Sequence, residues 1–87
     1  MITIWKYQLS PIGNISVNIP EFAEILSVGG QDNTIVLWAL VDTDRPCVIT
    51  HFNVVGTGWE IKESTYCGKF IGTATLKNGL VFHVFKK

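Results

Sequence analysis

The sequence predicts an all-β domain, a small single-domain antiparallel barrel or sandwich of about seven strands, and three observations carry that prediction. Val, Ile, Thr, Phe, Trp and Tyr cluster in short runs separated by turn residues, and no segment sustains helical spacing for more than two turns. The third observation is size. With 87 residues and no linker, repeat or low-complexity tract, the chain reads as one domain over 1–87.

The strands are expected at Ile2 to Gln8, Asn14 to Asn18, Glu24 to Val28, Thr34 to Val41, Cys47 to Val55, Lys69 to Leu76 and Leu80 to Phe85. Between the second and third, Ile19 to Ala23 holds Pro20 where a single helical turn would not miss its N–H. Gly29 to Asn33 reads as a longer hairpin loop. Asp42 to Pro46 is polar and ends the fourth strand, because proline cannot continue a ladder. A short helical turn is expected over Trp59 to Ser64. Asn78-Gly79 predicts a type I′ hairpin turn, which would set Thr75 opposite Phe82, Ala74 opposite His83 and Gly72 opposite Phe85.

In the stretch Thr34 to Val41 one face carries Ile35, Leu37, Ala39 and Val41, and the other carries Val36, Trp38 and Leu40. A strand apolar on both faces needs cover on both. The expected cover for Val36, Trp38 and Leu40 is a second subunit, so the chain is expected to be a homo-oligomer, most simply a two-fold dimer. The alternative cover is internal, from the first strand or from the turn at Trp59.

Composition narrows the function classes. Hydrophobic residues make up 47% of the chain, charged residues 16%, and the formal net charge is zero. A neutral chain lacks the clustered Lys and Arg that bind a phosphate backbone, so polymeric nucleic acid is excluded as a partner. No apolar run is long enough to span a bilayer, and the N-terminus lacks a signal-peptide pattern. No membrane association is expected, and the expected location is the cytosol. Cys47 and Cys67 are accordingly expected as two free thiols.

Among candidate chemistries, His51, His83, Cys47 and Cys67 offer the soft metal ligands, in no ligand spacing. No metal or cofactor is expected. His83 sits between apolar neighbours and reads as a structural histidine that donates to a backbone carbonyl. The carboxylates fall at strand ends and turns, where they serve as solvated caps. No constellation meets a catalytic geometry, so the protein is expected not to be an enzyme. One segment suits a small ligand. Gly56-Thr57-Gly58-Trp59 combines backbone donors, a hydroxyl and an aromatic face, and Arg45, the only arginine, could clasp a phosphate. Arg45, Gly56, Thr57, Gly58 and Trp59 are therefore the candidate site for a small, possibly nucleotide ligand, with a plain turn as the competing explanation.

Trp5-Lys6-Tyr7, Glu24 to Val28, Leu37 to Asp42, Gly56-Thr57-Gly58, Phe70 to Thr73 and Leu80 to Phe85 occur here in one order over nearly the whole chain. In these segments the sequence resembles a family of short bacteriophage and prophage proteins without an assigned function. The ending from Ile71-Gly72-Thr73 to Val81-Phe82-His83-Val84-Phe85 is the most specific part. The resemblance implies a phage origin and a compact β domain, and it transfers no catalytic residue; with a cytosolic chain, the expected location is the host cytoplasm. The chain departs from that pattern at Trp59, where a His-Pro-like continuation is expected. The function expected from residues and resemblance together is a non-enzymatic accessory protein that counters host defence by sequestering a small ligand. A protein-interaction module, acting as an inhibitor or a minor assembly component, is the alternative.

Overall fold

The structure, a computed structural model, describes residues 1–10, 13–61 and 68–87. Seven strands alternate with short turns: β1 (Ile2–Leu9), β2 (Gly13–Pro20), β3 (Glu24–Gln31), β4 (Thr34–Asp42), β5 (Cys47–Gly56), β6 (Lys69–Thr75) and β7 (Val81–Lys86). They form two antiparallel sheets, one of order β1-β4-β3 and one of order β2-β5-β7-β6. Each strand lies where the β-branched and aromatic runs predict it.

The core sits between the sheets. Leu9, Ile35, Leu37, Ala39 and Val41 from the first sheet meet Ile19, Phe52, Val54, Ala74, Phe82 and Val84 from the second, all nearly inaccessible to water. The period-2 alternation of strand side chains puts these residues on inward faces. At one side the sheets come together along β3 and β6, and glycine makes that approach possible. A Cβ at Gly72 would stand 2.7 Å from Cβ of Val28, and one at Gly30 would collide with the Thr75 carbonyl. The far side of the molecule ends in β1 and β2, which do not pair with each other.

Several turns differ from expectation. The β6–β7 connection is a three-residue loop: the Gly79 N–H donates to the Leu76 carbonyl at 2.9 Å, and the Leu76 N–H to the Leu80 carbonyl at 2.8 Å. Gly79 has φ 89° whereas Asn78 is not left-handed, so this is a type I turn closed by a glycine bulge, and not type I′. The register moves by one: Thr75 pairs with Val81, Ala74 with Phe82, Thr73 with His83 and Gly72 with Val84. A bulge between Phe70 and Gly72 then sets Phe70 against Phe85, their rings 5.7 Å apart.

The β3–β4 loop is shorter than expected, because Gly29 and Gly30 belong to the strand and Gln31 pairs with Thr34. Pro20 to Ala23 forms a β-turn, not a helical one, with the Ala23 N–H on the Pro20 carbonyl at 3.3 Å and Phe22 left-handed at φ 63°. Trp59 to Ile61 have no regular structure, and the rest of the helical turn expected there lies outside the described residues, as does Cys67. Cys47 is a free, exposed thiol.

The second face of β4 is covered in part within the chain. Val36 is only 2% exposed. Lys6 of β1 donates to Oε1 of Gln31 of β3 at 2.7 Å. Lys6 lies opposite Trp38 and Gln31 opposite Thr34, so this bridge crosses β4 above Val36. The Trp38 ring rests on the bare backbone of Gly29, where a Cβ would be 3.3 Å from Cζ3. Val36 is therefore core within a single chain, which removes it from the expected subunit contact. Trp38 and Leu40 remain half-buried.

Candidate functional site

The chain leaves β5 through a tight turn whose geometry follows from its glycines. The Trp59 N–H donates to the Gly56 carbonyl at 3.1 Å, and Gly58 has φ 86°. A left-handed third residue in such a turn is the type II signature, and glycine takes it without a steric penalty. The turn folds the Trp59 indole back onto Gly56, where a Cβ would be 2.5 Å from Cε2. Trp59 also meets the Phe82 ring edge-on, at 5.9 Å between centroids and 84° between planes.

This arrangement builds a groove of about 390 Å³ between the turn and the start of β7, lined by Gly56, Thr57, Trp59, Gly79, Leu80, Val81 and Phe82. A second recess of about 200 Å³ uses Trp59 together with Asn14, Val55 and Ile61. Trp59 is 51% exposed and Leu80 54%, so the aromatic face and its apolar neighbour stand open to solvent. The indole is held against a glycine and a phenyl ring, which fixes its orientation before any ligand arrives.

Two of the amides and the hydroxyl expected to receive a phosphate are engaged inside the fold. The Thr57 N–H donates to the Val81 carbonyl at 3.1 Å, and the Trp59 N–H closes the turn. The Thr57 hydroxyl lies 2.7 Å from Nε2 of His83, whose Nδ1 lies 3.0 Å from the Thr73 hydroxyl. The ring nitrogens of His83 thus meet threonine hydroxyls and not the backbone carbonyl that was expected. The one-residue register shift of the β6–β7 hairpin brings Thr73 opposite it. The cluster ties the turn after β5 to β7 and β6 on the outer face. Its imidazole has a hydroxyl on each nitrogen, so neither contact supplies the negative charge that stabilises an imidazolium in a catalytic triad.

The structure separates Arg45 from the rest of the expected site. Arg45 precedes β5 and Gly56 ends it, and a strand of ten residues at ~3.3 Å each holds them roughly 30 Å apart. Arg45 instead packs 5.1 Å over the Phe22 ring and 3.7 Å from Oε1 of Glu21. It fastens the β4–β5 loop to the turn between β2 and β3. Gly56, Thr57, Gly58 and Trp59 stay together as one turn. What the sequence did not reveal is the opposite wall, Leu80 and Phe82, because the β5–β7 pairing that brings them there joins strands distant in the chain.

Among the described residues no group of three His, Cys, Asp or Glu side chains is placed to hold a metal ion. His51 contacts the Ser16 hydroxyl through Nδ1 at 2.9 Å. No described helix is long and apolar enough to cross a membrane.

No curated protein and no solved structure matches the chain. A family model does, over residues 1–87: the chain belongs to the DUF7352 family, a domain of unknown function.

Proposed function

We propose that this domain is a non-enzymatic accessory protein that binds and holds a small ligand by stacking a flat ring on Trp59. The observation that carries this reading is the seating of Trp59. An indole 51% exposed, pinned on Gly56 and braced by Phe82, forms one wall of a groove of about 390 Å³. Such a volume falls within the usual range for small-molecule sites. Stacking a base on an aromatic side chain contributes ~1–3 kcal/mol. Arg45 has no part in it, and recognition is of the ring and not of a phosphate. With the resemblance to phage proteins, the ligand is a nucleotide-derived signal and the role is counter-defence by sequestration in the host cytoplasm.

The test is titration of the protein with adenosine, ADP-ribose and cyclic dinucleotides, followed by calorimetry and tryptophan fluorescence. Ring stacking predicts that phosphate-free and phosphate-bearing forms of one base bind within about tenfold of each other. It also predicts that Trp59→Ala weakens binding at least about tenfold while the far-ultraviolet circular dichroism is unchanged. No heat with any of these probes would end the ligand reading.

A second reading, a protein-interaction module, rests on the outer face of the β1-β4-β3 sheet. There Ile2 (70%), Ile4 (55%) and Leu26 (46%) are exposed beside Trp38 and Leu40. Affinity capture from infected cells that recovers one stoichiometric host protein, lost with Ile4→Glu, would favour it over ligand storage.

A further inference from the structure

We propose that the free edge of β1 is a self-association site, pairing antiparallel with β1 of a second copy about a two-fold axis at Trp5. The proposal does not depend on a bound ligand. It starts from which backbone groups are spent. The Thr43 N–H donates to the Met1 carbonyl at 2.8 Å, extending the β1–β4 ladder by one bonded pair. Bonded pairs alternate along an antiparallel ladder. Thr3, Trp5, Tyr7 and Leu9 therefore also spend their N–H and C=O groups on β4, whereas Ile2, Ile4, Lys6 and Gln8 point theirs away from it. Among the described residues no loop or turn supplies partners for those outward groups.

Every other edge is closed or blunted. β3 and β6 shut against each other through Gly30 and Gly72. β2 ends in Pro20 and carries Asn14, Ser16 and Asn18 on its exposed positions. β1 has none of the devices that protect an edge: no proline, no glycine and no bulge. Its one charge, Lys6, is drawn across the sheet to Gln31.

The strand is also complementary to itself. The antiparallel register that uses all its outward groups sets Ile2 opposite Gln8 of the second copy and Ile4 opposite Lys6, giving about eight interchain hydrogen bonds. Trp5 then meets its own copy at the axis, in a non-bonded pair with Cα atoms ~4.5 Å apart. Trp5 lies on the inward face yet is 40% exposed, overhanging the core at this edge, and the pairing covers it. Sliding the axis to Lys6 would oppose two ammonium groups, and sliding it to Ile4 would leave Gln8 unpaired. On the outer face the pairing sets Ile4 beside Lys6 of the second copy and diagonal to its Ile4, while Ile2 lies beside Gln8. A foreign strand would need to reproduce this register, whereas a second copy supplies it.

Sedimentation and crosslinking test the proposal. The chain is expected to sediment as a dimer. Ile4→Pro removes an outward N–H and no bond to β4, so it is expected to give a monomer with unchanged circular dichroism. In a Cys47→Ser, Cys67→Ser background, Trp5→Cys is expected to form a disulfide dimer on mild oxidation, since the axial spacing suits a disulfide. Ile2→Cys, whose copies would lie roughly 20 Å apart, is expected not to. A parent chain monomeric at several hundred micromolar overturns the proposal. So does a dimer that survives Ile4→Pro but is lost with Leu40→Glu, which would place the contact on the sheet face. Equal crosslinking at positions 2 and 5 would overturn the register.

Discussion

Tyr7 carries its hydroxyl into the interior, where it has no hydrogen-bond partner among the described residues. Burial raises its pKa, with a smaller contribution from the nearby Cys47 thiol. A buried, unpaired hydroxyl costs free energy and returns none. Tyr7→Phe is therefore expected to leave stability unchanged or raise it by up to about 1 kcal/mol in urea denaturation, and a loss of that size would reveal a partner for the hydroxyl. Asp42 shows the opposite sign of effect. Its carboxylate accepts the Asp44 N–H at 3.0 Å, which is the main reason that its pKa lies below the ordinary 3.8. A depressed carboxylate stabilises the fold above its unfolded pKa, and that contribution is lost as pH falls through the lower folded value. The Asp44 amide shift is expected to titrate with a midpoint below 3.8, and a midpoint above it would break the assignment. Both residues were visible in the sequence only as a strand tyrosine and a turn aspartate.

At the scale of elements, the strands were legible and their connections less so. A run such as Thr34 to Asp42 declares a strand through its side chains alone, since only a pleated, doubly covered surface accommodates them. The Asn78-Gly79 pair declared a hairpin but not its type. Type I′ and the type I turn with a bulge differ by one residue of register, and that difference decides whether Ala74 or Thr73 faces His83. Gly72 illustrates the same limit. Its sequence position suggests a place opposite Phe85 in the hairpin, whereas its role is the seam with Val28 on the other sheet. Gly72→Ala is expected to cost about 1–3 kcal/mol by overpacking, measured by chemical denaturation. A cost below about 0.5 kcal/mol would mean that β3 yields without resistance, against the close-packed seam.

At the scale of the whole molecule, two turns remote in sequence hold one end together. The Lys77 N–H donates to the Asp32 carbonyl at 2.7 Å, and the Asn78 N–H to Oδ1 of Asn33 at 2.9 Å. Asn33→Ala is expected to cost about 1 kcal/mol and to speed hydrogen exchange at the Asn78 amide; unchanged exchange would show that the turns are not coupled. The same scale decided the candidate site. Gly56 to Trp59 could be recognised as a turn with an aromatic face, because those properties are local. Arg45 was grouped with it although the strand expected over Cys47 to Val55 already lay between them; the observed β5 covers that stretch and keeps them apart.

What the sequence determined by itself is the all-β class, the place of each strand and the division of β4 into two apolar faces, because side-chain shape and a period of two are written in neighbouring residues. Tertiary structure alone decided three things: that the Lys6–Gln31 bridge crosses β4 at the buried Val36, that Leu80 and Phe82 wall the Trp59 groove, and that among the described residues β1 has a strand neighbour on one side only. Each depends on which strands lie side by side, and strand order is set by the collective fit of both sheets around one core, a property that no short stretch of chain contains.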